Sequence, residues 1–305
     1  MKSESASPDS PIHLAIVGGT GLADRLVAGF AEVSESIAVD TPFGEPSAPI
    51  QTGLLPDGRT RLSLLARHGE EHLLNPNRVP YRANIFALKK IGVTHLIASG
   101  AVGSLRDTIH PGEIALVNQF IDKTHNRAST FFENAAVHVE FSQPCCPVMR
   151  QWLIDAAAQL QINYHSNATY VCMEGPAFST KAESEMHRQW GGDLIGMTAL
   201  PEAKLAREAE IAYALIALPT DYDAWRQHDH DIPHDSLLAE IMGNLNEATD
   251  ACVQLIRKSL EDVSFLQKNK SPAYEALSLA IWSDKSKIDT AEIERLKPLW
   301  GKYFQ

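Results

Sequence analysis

The chain predicts an α/β fold with one composite pocket, and three observations carry that prediction. Apolar runs of strand length recur, each closed by a turn of small or polar residues and followed by a helical pattern. The run from Ile211 to Leu218 has eight apolar residues without a polar interruption, which suits a strand buried on both faces. It is followed by Thr220, Asp221 and Asp223, and ligands of α/β sheets gather outside the carboxyl ends of strands.

Residues 1–11 are rich in Ser, Pro and acid and read as a short disordered lead. The folded part runs from Ile12 to about residue 260. Leu14 to Val17 is a strand, and Gly18-Gly19-Thr20-Gly21 is a tight turn whose bare backbone can approach an anion. A dinucleotide site is the rival reading of this turn, with Asp40 about 20 residues onward, but no G-x-G-x-x-G is present. Leu62 to Ala66 is a further strand that delivers Arg67 and His68 at its end, an attractive anion clamp. His68-Gly69-Glu70-Glu71-His72 also satisfies the H-x-x-E-H pattern of one zinc peptidase class. That chemistry needs a helix, and Gly69 within the stretch and Asn75-Pro76-Asn77 beyond it argue against one, so no metal is expected.

Tyr81 to Lys90 has helical spacing and ends near Gly92. The strand His95 to Ala98 leads into the small-residue turn Ser99 to Ser104, and Glu113 to Asp122 reads as one more strand. Residues 123–147 have no regular pattern and contain His125, Arg127, Phe131, Phe132, His138 and Pro144-Cys145-Cys146-Pro147. Loops of that length are commonly functional or buried between subunits. A helix over Gln151 to Leu160 and a strand over Ala168 to Met173 follow. Thr180 and Glu183 have the spacing of a capping box, which sets Ser179 at a helix N-terminus where exposed amides favour an anion. Pro201 and Glu202 suit the first turn of the next helix. The polar run after Trp225 predicts a loop over the site. From Asp235 onward, Leu238, Ile241, Met242, Leu245, Cys252, Leu255 and Ile256 keep helical spacing. Residues 261–305 predict a helical C-terminal appendage without chemistry.

With 27 basic and 38 acidic residues the net charge is −11, which disfavours nucleic acid and anionic membranes as partners. Any anion must then be held by a local site. The four cysteines form no C-x-x-C pair and two are adjacent, so neither a zinc site nor a disulfide framework is expected, and a reducing cytoplasm fits. No segment has the length and apolarity of a membrane span.

Together, GGTG at 18–21, TPFGEPS at 41–47, LLARHG at 64–69, GSLRDTIHPGE at 103–113, QFIDKT at 119–124, EGPAFSTKAES at 174–184, GMTALPEAKLAREAEI at 196–211 and TDYDAW at 220–225 resemble the trimeric purine nucleoside phosphorylases, most of all their 5′-methylthioadenosine phosphorylase branch. The resemblance implies a mixed central sheet surrounded by helices, a homotrimer, inorganic phosphate as co-substrate and no organic or metal cofactor. It implies that phosphate lies among Thr20, Arg67, His68, Ser179 and Thr198 with the Ala101 amide nearby, Met197 against the ribose, and Phe178 on the purine. Thr220 would line the substrate site, and His138 would reach into the next subunit's pocket to meet the 5′ substituent. Asp221 and Asp223 would read the base, Asp221 protonated against N7 and Asp223 accepting from a 6-amino group, while His68 would assist the chemistry. The 6-oxo enzymes carry asparagine in that region, so the two acids imply adenine. The alternatives are a phosphorylase of 6-oxo purine nucleosides or methylthioinosine, and a nucleoside-binding protein without catalysis. At two positions the sequence departs from the branch: Gly100 stands where a threonine is usual, and Gly196 where an asparagine is usual.

Overall fold

A computed structural model describes residues 12–19, 22–27, 32–69, 71–226 and 234–304. Its strands are β1 (His13–Gly18), β2 (Glu32–Ile37), β3 (Ile50–Leu54), β4 (Arg61–Ala66), β5 (His95–Ser104), β6 (Ile114–Leu116), β7 (Gln119–Lys123), β8 (Tyr164–His165), β9 (Thr169–Met173), β10 (Leu194–Gly196) and β11 (Ala212–Tyr222). The helices are α1 (Leu22–Val27), α2 (Tyr81–Lys90), α3 (Pro147–Ala157), α4 (Lys181–Gln189), α5 (Glu202–Glu208), α6 (His234–Leu260), α7 (Ser264–Lys268), α8 (Thr290–Arg295) and α9 (Lys297–Trp300). One mixed sheet runs β2-β3-β4-β1-β5-β10-β9-β7, with β11 on β5, β6 on β11 and β8 on β6.

The strand at the branch, β5, positions the site. Its one edge pairs with β11 in parallel from His95 to Ser104. Its other edge pairs with β1 only from His95 to Ala98, and with β10 in antiparallel only at Gly103 and Ser104. Between them, residues 99–102 have no strand neighbour on that edge among the described residues. This is a topological switch point, where backbone donors are left for a ligand.

All but Ile211 of the eight-residue apolar run lies inside β11, and the run is buried on both faces for the reason its composition implies. Tyr213, Leu215 and Ala217 belong to the core cluster that includes α2 and α5, whereas Ala212, Ala214, Ile216 and Leu218 belong to the one that includes α3 and α6. The period of 2 assigns alternate side chains to opposite layers.

Where one strand is expected over Glu113 to Asp122, the chain forms two. Val117 N–H donates to Leu215 O and Asn118 N–H to Ala168 O, so the segment changes partner from β11 to β9 at Val117 and Asn118. The side-chain carbonyl of Asn118 accepts from Ala168 N–H and fixes the step. The helix expected from Gln151 starts earlier, at Pro147, whose fixed φ suits a first helical position. β2, β3 and α1 have no counterpart in the sequence reading.

The segment after α6 is helical in pieces and packs into the core. Leu277, Leu296, Leu299 and Trp300 are buried in the α2/α5 layer. Glu210 ties this segment down by accepting from Leu277 N–H and the Tyr303 hydroxyl and by pairing with Lys302. The irregular stretch beyond β7 rests on the same segment, through a bridge between Val137 and Ile281 and the Phe132 ring on Trp300 at 4.7 Å.

Candidate active site

Arg67 follows the last residue of β4, so the parallel register of β1 and β4 brings it beside Gly18. It is 1% exposed, and its contacts explain how a guanidinium is tolerated there. Nε and Nη2 donate to the two carboxylate oxygens of Glu202 at 2.7 and 3.0 Å. Nη1 donates to Ser99 O at 2.7 Å and Nη2 also to Val17 O at 3.2 Å. Burial alone would favour the neutral form, but the Glu202 charge overrides it and holds the guanidinium above its ordinary value. Four of five N–H donors are used in this way, which leaves one on Nη1 without a partner among the described residues. Glu202 lies in the first turn of α5 and is further held by the Tyr213 hydroxyl at 3.0 Å.

His68 is expected as a donor to phosphate, and the geometry gives it a different role. Its Nδ1 lies 2.7 Å from Leu74 O, a carbonyl that can only accept, so Nδ1 carries the proton and Nε2 presents a lone pair. Burial pushes the pKa down to about 4 against the raising effect of the Leu74 carbonyl, with Arg67 and His72 pushing the same way as burial. His68 is therefore neutral at pH 7, an acceptor or base at Nε2. Within the H-x-x-E-H stretch, of which Glu70 lies outside the described residues, Gly69 has φ 81° and His72 φ 55°, and the His68 and His72 rings stack at 4.4 Å. Among the described residues no group of three His, Cys, Asp or Glu could hold a metal.

Thr198 faces this corner. A side chain added at Gly100 would meet Thr198 Oγ1 at 3.4 Å and Arg67 Nη1 at 3.8 Å, so the unpaired edge of β5, the free guanidinium N–H and this hydroxyl share one space. Ala101 is exposed next to it. Met197 lies with its thioether against the backbone of Gly175, whose φ of 67° and lack of Cβ permit the approach. Ser179 immediately precedes α4, whose N-cap Thr180 forms a full capping box with Glu183. Phe178 is 84% exposed at the rim. Thr20 lies outside the described residues.

The end of β11 carries Thr220 and Asp221, with Asp223 just beyond it. A register shift between Pro219 and Asp221 bulges the strand at Thr220, immediately before the two acids. The side chain of Thr220 is buried and its Oγ1 lies 2.7 Å from Asp221 Oδ1 and 3.4 Å from Val102 O. Asp223 is 8% exposed, and its Oδ2 has no hydrogen-bond partner among the described residues. His138 lies on the irregular stretch, where its N–H donates to Ala280 O and its ring meets Trp282 at 4.7 Å. It is attached to the C-terminal segment, which also exposes Leu279 and Trp282.

Sequence reasoning assigned no role to Arg127. Nη1 donates to Met197 O and Leu200 O at 2.6 and 2.7 Å, Nη2 donates to Glu174 O at 2.5 Å, and Nε is 3.3 Å from the Glu174 carboxylate. Arg127 thus binds the loop to the backbone carrying Met197 and Thr198. Glu202 was read only as a helix-dipole charge, and no signal in the sequence pairs it with Arg67. Tyr170, buried in β9, was likewise read only as strand.

The sequence profile of the phosphorylase superfamily matches residues 13–261. The S-methyl-5′-thioadenosine phosphorylase of Geobacter sulfurreducens is 44% identical over 292 residues, covering 95% of this chain and 98% of that protein. The Xenopus tropicalis protein of the same name is 41% identical, covering 85% and 94%. A crystal structure of a methylthioadenosine phosphorylase from an antarctic soil metagenomic library superposes with a TM-score of 0.86 at 40% identity, over 95% of this chain and 99% of that one. The Schistosoma mansoni methylthioadenosine phosphorylase in complex with adenine superposes with a TM-score of 0.76 at 31% identity, over 89% and 99%. The chain belongs to the phosphorylase superfamily, in its methylthioadenosine phosphorylase branch.

Proposed function

We propose that the corner between β5, Thr198 and the end of β11 carries out phosphorolysis of S-methyl-5′-thioadenosine, giving adenine and 5-methylthioribose 1-phosphate. The observation that carries the choice of base is the buried Asp223 Oδ2, an acceptor without a donor among the described residues. Leaving such an atom unpaired costs about 1–3 kcal/mol or more. The 6-amino group of adenine supplies an N–H donor, and a 6-oxo group does not.

Phosphate lies against the free Nη1 N–H of Arg67, the hydroxyls of Thr20, Ser179 and Thr198, and the Ala101 amide. His68 accepts a proton from phosphate or a sugar hydroxyl through Nε2. Met197 packs on the ribose and Phe178 covers the purine. A phosphate oxygen bonds to C1′ as the C1′–N9 bond breaks, and Asp221 gives N7 the proton that the departing base needs. The Thr220 hydroxyl, 2.7 Å from Asp221 Oδ1, holds that carboxyl at the end of β11. Proximity and fixed donors supply the catalysis, and no metal or organic cofactor is required.

His138 completes the 5′ end of a neighbouring subunit's pocket in a homotrimer, with the exposed Leu279 and Trp282 as apolar surface for the contact. The enzyme works in the cytoplasm in the salvage of purine and of the methylthio group. No described helix is long and apolar enough to cross a membrane.

The test supplies methylthioadenosine, methylthioinosine, adenosine and inosine to the purified protein with and without phosphate and separates the products. Adenine released only with phosphate, and fastest from methylthioadenosine, is the expected result. Hypoxanthine released faster overturns the base assignment, and no base released from any of them leaves a binding protein. Asp223→Asn should shift the ratio of kcat/KM from 6-amino toward 6-oxo substrates by about 10- to 100-fold.

A further inference from the structure

Gly196 is the last residue of β10, directly before Met197 and Thr198, and it sits in a space with no room for a side chain. A Cβ there would collide with the Tyr170 hydroxyl and would lie 2.7 Å from Tyr170 Cζ and 3.1 Å from Val102 Cγ1. Tyr170 stands on β9, opposite Leu194 of β10, with Cys172 opposite Gly196. Its ring therefore leans along the strand toward its diagonal neighbour. Tyr170 is 2% exposed, and its ring edge is held by Phe120 at 5.9 Å. A buried phenol needs a partner for its oxygen. The polar residue at hand is Thr198, two positions beyond Gly196, whose backbone and side chain both act on the phenol and whose Oγ1 lies on the Gly100 side of the same corner. Val102, the other neighbour of Gly196, lies on the unpaired stretch of β5.

We propose that Tyr170 is a positioning residue for Thr198: its hydroxyl occupies the space that a side chain at 196 would fill and orients the Thr198 hydroxyl toward the anion beside Gly100. The phenol abuts Gly196 and is 2% exposed. It acts by limiting Thr198 to one rotamer and by engaging its amide, so that the Oγ1 proton is aimed at the ligand before phosphate arrives. Burial raises the phenol's pKa, with Cys172 acting in the same direction against the lowering contacts from Thr198 and Arg67, so the oxygen keeps its proton across the working range. Preorganising one donor in this way lowers the ordering cost that binding would otherwise carry. The pairing of residues 170 and 196 thereby sets phosphate affinity, separately from recognition of the base by Asp223.

This inference rests on Thr198 being a phosphate ligand, and the experiment separates the two. Initial rates are measured against phosphate and against methylthioadenosine for the wild type, Tyr170→Phe, Thr198→Ala and the double variant. Tyr170→Phe should raise the KM for phosphate about five- to tenfold, the loss of one oriented hydrogen bond, while the nucleoside KM moves less than about twofold. In the Thr198→Ala background the same substitution should have no further effect on phosphate KM, because the residue it acts through is gone. Gly196→Ala, which pushes against the hydroxyl from the other side, should raise phosphate KM in the same direction with Tyr170 itself intact. Equal changes in both KM values on Tyr170→Phe, or effects that add in the double variant, overturn the role of Tyr170. An unchanged phosphate KM in Thr198→Ala overturns the phosphate assignment itself, with the phosphorolysis measured on the wild type unaffected.

Discussion

Arg67 and Arg127 hold two sides of one site, and they do so by different means. Arg67 is anchored by a carboxylate, with Glu202 taking two of its donors at 2.7 and 3.0 Å. Arg127 is anchored mainly by main-chain oxygens, those of Met197, Leu200 and Glu174. The first arrangement fixes a charge in the dry layer between sheet and α5 and leaves one N–H toward the ligand. The second fixes a loop, because each carbonyl it engages belongs to a strand end or turn that carries a proposed ligand. A buried guanidinium can thus serve a site either as a ligand or as a clasp, and only its partners distinguish the two.

The largest expected effect would come from breaking the first anchor. Glu202→Ala leaves the Arg67 charge buried without its partner, and thermal or denaturant unfolding should report a loss of about 3–5 kcal/mol. Replacing both, as Arg67→Met with Glu202→Leu, should recover much of that stability while activity stays lost. Stability that is not recovered would mean that the pair holds the fold by more than mutual compensation.

Breaking the clasp should cost less in stability and as much in function. Arg127→Ala frees three carbonyls at the strand ends, for about 2–3 kcal/mol, and should lower kcat/KM for both substrates together. Arg127→Lys should recover less than half of the activity, since one point donor cannot serve carbonyls that a planar fork reaches. Full recovery by lysine would make charge, not geometry, the feature that matters.

A third test compares the two ends of the parallel strands. His68 sits beside the carboxyl end of β4, and His95 at the start of β5, where its Nε2 lies 2.9 Å from the Tyr274 hydroxyl. Burial lowers the pKa of each to about 4. A histidine whose folded value lies below its unfolded value of about 6.5 binds more protons when unfolded. Its contribution is complete above about pH 6.5 and is lost as the pH falls toward 4. His95→Gln should therefore lose about 1–2 kcal/mol less than the wild type between pH 6.5 and 5, read from unfolding midpoints. Equal slopes would mean that His95 stays neutral in both states over that range. The smallest expected effect is local: Thr180→Ala removes the α4 cap, for about 1 kcal/mol, with little change in the sheet.

Much of this architecture was legible in residue order. The apolar run of β11, the periodicity of α2 and the capping box of α4 are local signals, because the strand and helix repeats and the reach of one side chain to a neighbouring amide are set within a few residues. Strand ends follow from the same signals, which is why Arg67, Asp221 and Asp223 could be proposed before any geometry was known, whereas Thr198 rested on the family resemblance. The partners of Arg127 were not legible. Met197 and Leu200 are 70 and 73 residues away, and a main-chain carbonyl looks the same at every position of a sequence. The break between β6 and β7 was hidden likewise, because both halves are extended, and only the change of partner strand at Asn118 separates them.

The sequence by itself determined the class of fold, the family and the residue types available for an anion, a sugar and a purine. Tertiary structure alone decided what those residues can do: that Arg67 keeps a single free N–H, that His68 presents a lone pair and not a proton, and that the Tyr170 hydroxyl fills the space left at Gly196. The reason is physical. Hydrogen-bond capacity is a property of a residue type, but how much of it remains for a ligand depends on which distant groups the fold has already brought against it.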